Sequence, residues 1–442
     1  MKITAYTSTW KETHLLEENK ISFHPDVEEE ENELINLYPQ YTEQIWEGFG
    51  GAVTESAGYV YSKMSDKQKK ELLQYYFGTD GLRYNRIRLA IDSCDFSLGE
   101  YEAAPDCDLE KFSMERAGKY TLPLLEDIRR TAAHPVKLML TPWSPPAAFK
   151  TNGDRKQGGK LKPEYRAHWA EYLCRYIKEY QDRGFEVERI SLQNEPKAVQ
   201  IWDSCIWTAE EERDFLVNYM KPALRRHGME DVEVFIWDHN KERILERTAV
   251  TLYGEGKNCA DGVAFHWYSG DHFRELEMFH KLFPDKKLIL SESCLEYSKL
   301  DVSNPAENAE RAAHEIIGDM NNGMNAFYDW NMLLDQNGGP NYVKNYCHAP
   351  FLYHLEEKTL KKESLYDCFW HFAQFILPGS RQILSTSYTD RLETTAFQRP
   401  DGKIAVIVLN KSIKELPVKI RMQEQIAELN VPPHSLTTGL IE

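Results

Sequence analysis

Eight short apolar runs recur between residues 48 and 330, and amphipathic segments of helical period separate them. The runs are Gly48 to Val53, Asn85 to Ile91, Val136 to Thr141, Arg189 to Gln193, Val232 to Trp237, Val263 to Tyr268, Lys287 to Ser291 and Asn325 to Trp330. Each is too short for a core helix and long enough for a strand buried on both faces, so the repeating unit is strand then helix and the sheet is parallel. Eight such units close a (β/α)8 barrel. The intervening segments include Ser65 to Tyr76, Pro163 to Asp182, Glu210 to His227 and Pro305 to Met320, and Ser65 to Gln68 and Thr208 to Glu211 have the form of capping boxes. The glycines of Gly48-Phe49-Gly50-Gly51 match no nucleotide fingerprint, and close backbone packing in a barrel strand explains them.

After about Leu377 the helical period stops. Alternating runs at 394–397, 404–409 and 417–421 follow, with turns at Pro400-Asp401-Gly402 and Pro432-Pro433, an antiparallel β pattern with too few strands to stand alone. The N-terminal strands Lys2 to Thr7 and Leu34 to Tyr38 are expected to complete it, and the acidic run Glu28 to Glu31 reads as a solvated loop. The expected organisation is residues 1–45 as N-terminal strands of an accessory antiparallel β-sandwich, 46–376 as the catalytic α/β barrel, and 377–442 as the rest of the sandwich.

Polar or aromatic residues follow nearly every run, where α/β barrels carry their chemistry. Asp92 to Phe96 follow the second, Pro142 to Pro146 the third, Asn194-Glu195 the fourth and Asp238 to Asn240 the fifth; His266-Trp267-Tyr268, Glu292 to Cys294 and Asp329 to Asn331 end the last three. Glu195 and Glu292, on the fourth and seventh strands, lie across the mouth from each other. Such a pair suits glycoside hydrolysis, with one carboxyl protonating the leaving oxygen and the other attacking or activating water. Asn194 is placed to reach a sugar 2-hydroxyl, and Tyr268 to hydrogen-bond the second glutamate.

A net charge of -17 argues against nucleic acid and anionic membrane as partners and is indifferent to a neutral sugar. The 24 Tyr, 19 Phe and 10 Trp suit stacking on sugar rings. His239 and His266 form no His-x-His or His-x-x-x-His pair, so no metal or other cofactor is expected. The eight cysteines, among them Cys94, Cys107, Cys294 and Cys347, lack CxxC pairing and read as free thiols, with packing roles for Cys94 and Cys294. No span and no secretory signal is evident, which points to the cytoplasm.

The motifs Gly48-Phe49-Gly50-Gly51-Ala52, Ser93-Cys94-Asp95-Phe96-Ser97, Pro142-Trp143-Ser144-Pro145-Pro146, Lys150-Thr151-Asn152-Gly153, Asn194-Glu195-Pro196, His266-Trp267-Tyr268, Ser291-Glu292-Ser293-Cys294 and Gly338-Gly339-Pro340-Asn341 occur in this order. Together they resemble the glucosylceramidase-like branch of glycoside hydrolase family 30. Pro378-Gly379-Ser380 and Ala405 to Asn410 extend the likeness into the β domain. The resemblance implies a (β/α)8 barrel with a β-sandwich built from both termini, and hydrolysis of β-glycosides with retention. It further implies Glu195 as acid/base and Glu292 as nucleophile. Asp95, Trp143 and Trp330 match positions that hydrogen-bond the sugar of the minus-one subsite. Asn194 matches the 2-hydroxyl ligand, Tyr268 the tyrosine on the nucleophile, Arg88 a buried arginine beside the site, and Asn345 a position near the pocket. His266 supports the site. The loop from Lys197 to Trp207 is shorter than in lipid-cleaving relatives, and its Trp202, Asp203 and Trp207 suit a polar or small aryl leaving group better than ceramide. The expected activity is that of an exo-acting β-glucosidase on a small carbohydrate, with β-xylosides, β-fucosides, 6-deoxyglucosides, β-1,6-glucan or glucosylceramide as alternatives and an inactive sugar-binding protein as the non-enzymatic one. Oligomeric state has no signature in the sequence.

Overall fold

A computed structural model describes residues 1–10, 15–104 and 108–442, and Cys107 lies outside them. The chain opens with β1 (Lys2–Thr9), β2 (Leu15–Ser22), β3 (His24–Pro25) and β4 (Leu34–Ile45). The barrel strands follow: β5 (Gly48–Ala52), β6 (Arg86–Ile91), β7 (Lys137–Pro142), β8 (Glu186–Ser191), β9 (Glu233–Asn240), β10 (Gly262–His266), β11 (Lys287–Glu292) and β12 (Met324–Asn331). They close in chain order with β12 beside β5, and every neighbouring pair is parallel. The expected α/β barrel is the observed one.

Local chemistry sets these elements. At Gly50 an added Cβ would sit 2.5 Å from the Arg86 carbonyl oxygen, so the strand contact admits only glycine. Both capping boxes form: Ser65 opens the helix Asp66–Phe77 and Thr208 opens Ala209–Phe215. The segment expected as one helix to His227 contains a π turn at Leu216–Met220 just before Pro222, which has no N–H to give.

Among the strand ends that differ from expectation, those of β8 and β9 position the site. β8 stops at Ser191 rather than Gln193, and the chain then leaves the sheet while the Asn194 and Glu195 amides donate to the carbonyls of Pro142 and Asp238 at 2.8 and 2.9 Å. β9 continues to Asn240, three residues past Trp237, through a bulge in which Trp237 and Asp238 take φ of 72° and 50°. A regular strand would point Asp238 and His239 to opposite faces; the bulge lets both reach the mouth.

The barrel interior is layered. Met139, Phe235, Ala264, Ile289, Ala326 and Tyr328 form an apolar plug. Two residues toward the N-terminal end lie Glu233 and Lys287, and two toward the C-terminal end lie His266 and Ser291, so ionic layers sit on both sides of the plug.

Beyond the barrel, β13 (Leu333–Asp335), β14 (Phe351–His354) and β15 (Thr359–Lys362) form a small sheet. Strands β16 (Arg381–Ser387), β17 (Leu392–Gln398), β18 (Ile404–Asn410), β19 (Leu416–Met422), β20 (Gln425–Val431) and β21 (Ser435–Ile441) join β1 to β4 in one ten-stranded sheet, so both termini contribute. The pairing is antiparallel except between β4 and β19. β4 ends at Ile45, and the chain passes almost directly into β5. Ile404, Val406 and Val408 of β18 face the sandwich core, while Ala405, Ile407 and Leu409 belong to the barrel-side cluster. Burial on both faces is why this run is apolar without interruption.

Candidate active site

Arg88 of β6 is the hub of the mouth. It is fully buried, and its guanidinium donates to Glu292 Oε2 at 2.5 Å, Asn194 Oδ1 at 2.8 Å, Asp238 Oδ2 at 3.1 Å and Thr141 Oγ1 at 3.3 Å. Its plane also lies over Trp143 and Trp330, 4.8 and 5.4 Å from their ring centres, and the two indoles stack at 5.3 Å. One side chain thus fixes both an aromatic wall and a carboxylate. The other oxygen of Glu292 accepts from the Tyr268 hydroxyl at 3.0 Å. Burial pushes the Glu292 carboxyl above the ordinary range, against the pull of His266 and Arg88.

Glu195 approaches from the loop after β8 and adopts φ of 46°, an uncommon left-handed conformation for a residue with a side chain. The hydrogen bond that its amide donates to the Asp238 carbonyl holds it there. His266 Nδ1 donates to Glu195 Oε1 at 3.3 Å, and His266 Nε2 donates to Asp238 Oδ1 at 3.0 Å. Burial works against a charge on His266, but Glu292 nearby and the bonds to Asp238 and Glu195 hold it up at about 9, so the ring is an imidazolium. Burial would raise Glu195 too, yet the His266 bond with the charge of His239 and His266 brings it down to about 2. The proton nearest Glu195 therefore resides on His266.

His239 Nδ1 lies 3.7 Å from the same Glu195 oxygen and has no hydrogen-bond partner among the described residues. Glu195, His239 and His266 bring possible ligand atoms within 4.8 Å of one another, a set from one loop and two strands that spacing along the chain does not reveal. Within the set only His266 is hydrogen-bonded to Glu195, and His239 approaches the same oxygen without a bond.

Asp95, Trp143, Asn194, Glu195, Trp202, Tyr268, Glu292, Trp330 and Asn345 all border one cavity of about 340 Å³. Arg88 and His266 lie behind its wall. Asp95 accepts from Asn341 at 3.1 Å and Asn345 at 3.4 Å, and burial with the charge of Glu292 raises its carboxyl to about 8 in spite of them. At neutral pH Asp95 is a neutral acid with a proton to donate.

The loop after Glu195 differs from its expected role. Only Gln200 and Trp202 of it face the cavity. Asp203 is buried and turned inward, accepting from Arg155 at 2.7 Å, Tyr342 at 2.9 Å and Ser93 at 3.0 Å. Trp207 is buried as well and donates to Gln193. Cys94 is buried as expected, whereas Cys294 borders the cavity. Asp238 and Asn341 stand in the expected rim and motif segments, but the sequence assigns neither a role in the site. Asn341 stands in the Gly338-Gly339-Pro340-Asn341 motif, and that motif was the available signal for it.

The family model of the glycosyl hydrolase family 30 TIM-barrel domain matches residues 46–376, and that of the family's beta sandwich domain matches residues 379–439. The chain is 31% identical over 408 residues to the lysosomal acid glucosylceramidase of Mus musculus, covering 88% of this chain and 79% of that one. An endo-1,6-beta-D-glucanase of Neurospora crassa is 26% identical over 404 residues, 86% of this chain and 82% of its own. Among solved structures, SrfJ from Salmonella typhimurium superposes with a TM-score of 0.96 at 37% identity over 100% of this chain and 99% of that one. An endo-beta-1,6-glucanase superposes with a TM-score of 0.90 at 25% identity, with 100% and 99% coverage. With both domain models matched and a carboxylate pair at the barrel mouth, the protein belongs to glycoside hydrolase family 30 and is an enzyme that hydrolyses glycosidic bonds.

Proposed function

We propose that the protein is a retaining, exo-acting β-glucosidase with Glu292 as nucleophile and Glu195 as acid/base. The observation that carries this is the asymmetry of the pair. Glu292 is gripped at both oxygens, by Arg88 and Tyr268, in the pose of an attacking group, while Glu195 is joined to the imidazolium of His266. A proton passes from His266 to Glu195 as the sugar displaces water. Glu292 attacks the anomeric carbon, the glycosidic bond breaks, and the leaving oxygen takes the proton of Glu195. Burial that raises the basicity of Glu292 also strengthens it as a nucleophile. In the second half a water gives its proton to Glu195 and its oxygen to the anomeric carbon, which frees Glu292.

The Asp95 acid, the free Asn194 amide and the two stacked tryptophans supply donors and an apolar face for one sugar ring. A cavity at the small end of ligand pockets supports cleavage from a chain end. A panel of aryl β-glycosides tests the reading: aryl β-glucoside is expected to be turned over at least about tenfold faster than β-xyloside or β-fucoside, a margin of roughly 1.4 kcal/mol. A second reading, hydrolysis of β-1,6-glucan, is supported by the two β-1,6-glucanase relatives. Release of monosaccharide from that polymer would keep the exo assignment, and release of oligosaccharides would replace it. The seven described cysteines are buried free thiols, which supports work in the reducing cytoplasm.

A further inference from the structure

Two thiols face each other in the wall of the sugar pocket, and the reaction above uses neither. Cys294 lies two residues after Glu292 and Cys347 two after Asn345; both border the cavity, and their sulfurs stand 3.2 Å apart. The backbone fixes this approach. The Tyr297 amide donates to the Tyr346 carbonyl at 3.1 Å, the His348 amide to Leu295 at 2.9 Å and the Cys347 amide to Gly338 at 3.1 Å, which laces the two segments together. A disulfide is about 2.05 Å long, so closure of roughly 1.2 Å by side-chain rotation would join them. No other pair of sulfurs among the described residues is in such contact. Cys294 Sγ also lies 3.4 Å from the Tyr268 hydroxyl, the group that holds Glu292.

We infer that Cys294 and Cys347 are a modification site, at which a small hydroperoxide converts the dithiol to a disulfide and reversibly switches off turnover. The Cys294 sulfur attacks the terminal peroxide oxygen, the O–O bond breaks, an alcohol leaves and a sulfenic acid forms. The Cys347 sulfur then displaces its hydroxyl, the S–S bond forms and water leaves. The two thiols give up two electrons and two protons, and the peroxide is reduced to alcohol and water. The bond removes the thiol beside Tyr268 and draws the segment carrying Asn345, hence Asp95, toward the strand of the nucleophile. Burial holds Cys294 protonated, and the contact with Cys294 together with burial does the same for Cys347. Oxidation is accordingly slow near neutrality and speeds up as pH rises.

The inference rests on the glycosidase reading only for its activity readout. The intact protein is treated with tert-butyl hydroperoxide at about pH 7 and about pH 9, digested without reduction and mapped by mass spectrometry. The expected products are peptides linked through Cys294 and Cys347, formed faster at the higher pH. Aryl-glycosidase activity should fall at least about tenfold in step with the link and return with dithiothreitol. Cys347→Val and Cys347→Ser, each compared with its own untreated activity, should resist. Linkage through other cysteines, or a linked protein that keeps its turnover, overturns the inference. Should the untreated protein cleave none of the glycosides, the substrate reading fails while the peptide map still decides the dithiol.

Discussion

The floor and the mouth of the barrel are both networks of buried arginine and carboxylate, and they balance charge differently. At the floor Arg189 contacts Glu47 at 2.7 Å, Glu188 at 2.8 Å and Glu233 at 3.1 Å, Arg86 joins Glu188, Lys137 joins Glu186 and Glu188, and Lys287 joins Glu47 and Glu233. Four cations meet four carboxylates there. At the mouth Arg88 joins Asp238 and Glu292, His266 joins Glu195 and Asp238, and Asp95 has no ion-pair partner among the described residues. With fewer cations than acids, the mouth has to keep protons on some of its groups, and Asp95 and His266 hold them. Matched charge makes a rivet; a surplus of acid makes a site that can exchange protons with a substrate.

The largest effect expected from breaking this contrast is at Glu292, the proposed nucleophile. Glu292→Gln should lower kcat/KM by at least about 10⁴-fold. Its floor counterpart Glu47→Gln should leave kcat/KM within about threefold, because it touches nothing near the cavity. A Glu292→Gln enzyme with appreciable turnover would assign the attack to another group.

Next in size is the loss at Glu195. Glu195→Ala should slow an alkyl or disaccharide β-glucoside by about 10³- to 10⁴-fold and a dinitrophenyl glucoside far less, since a good leaving group needs little proton transfer. Equal losses on the two substrates would remove the acid/base role.

The two arginines make the contrast sharpest. Arg88→Met strips Glu292 of its cation, and Arg189→Met removes a cation shared by Glu47, Glu188 and Glu233. Each should destabilise the fold in urea unfolding, by about 3–5 kcal/mol at Arg88 and by less at Arg189, where Arg86, Lys137 and Lys287 remain. Only Arg88→Met should also abolish turnover in the fraction that remains folded. Loss of turnover in both would show that the floor tunes the mouth through the plug.

The smallest effects are on stability against pH, and they have opposite signs. Burial opposes the charge on Glu47, but Arg189, Arg86 and Lys287 hold its carboxyl down to about 2. Its contribution is present above about 4.5 and is lost as pH falls toward 2. For His266, raised to about 9, the contribution is complete below about 6.5 and is lost as pH rises through 9. Each amounts to about 3 kcal/mol. Urea midpoints across pH should therefore fall on both sides. Glu47→Gln should flatten only the acid side and His266→Asn only the alkaline side; a variant that flattened the other limb would refute its assignment.

Most of the barrel was legible in the chain because its strands are buried on both faces and their apolar runs stop where chemistry begins. Ser65 and Thr208 announced their helices for a local reason, since a capping box is complete within four residues. Glu195 and Glu292 were legible as a pair because strand order places strands four and seven across the mouth. What escaped depended on contacts between distant segments. The bulge that brings Asp238 and His239 to the mouth together is a backbone event, and nothing in Trp237-Asp238-His239-Asn240 signals it. Asp203 looked available to a leaving group, but Arg155, some fifty positions earlier, turns it inward. The contact between Cys294 and Cys347 likewise exists only because two loops are laced together.

Strand β18 has a consequence for how this molecule can be taken apart. Its side chains serve two cores at once, alternate residues to each, so it is a party wall rather than a hinge. Neither domain is a module that can be lifted out: cutting the chain before residue 379 would strip the barrel of apolar cover, and grafting a relative's sandwich would require matching Ala405, Ile407 and Leu409 to this barrel's helices.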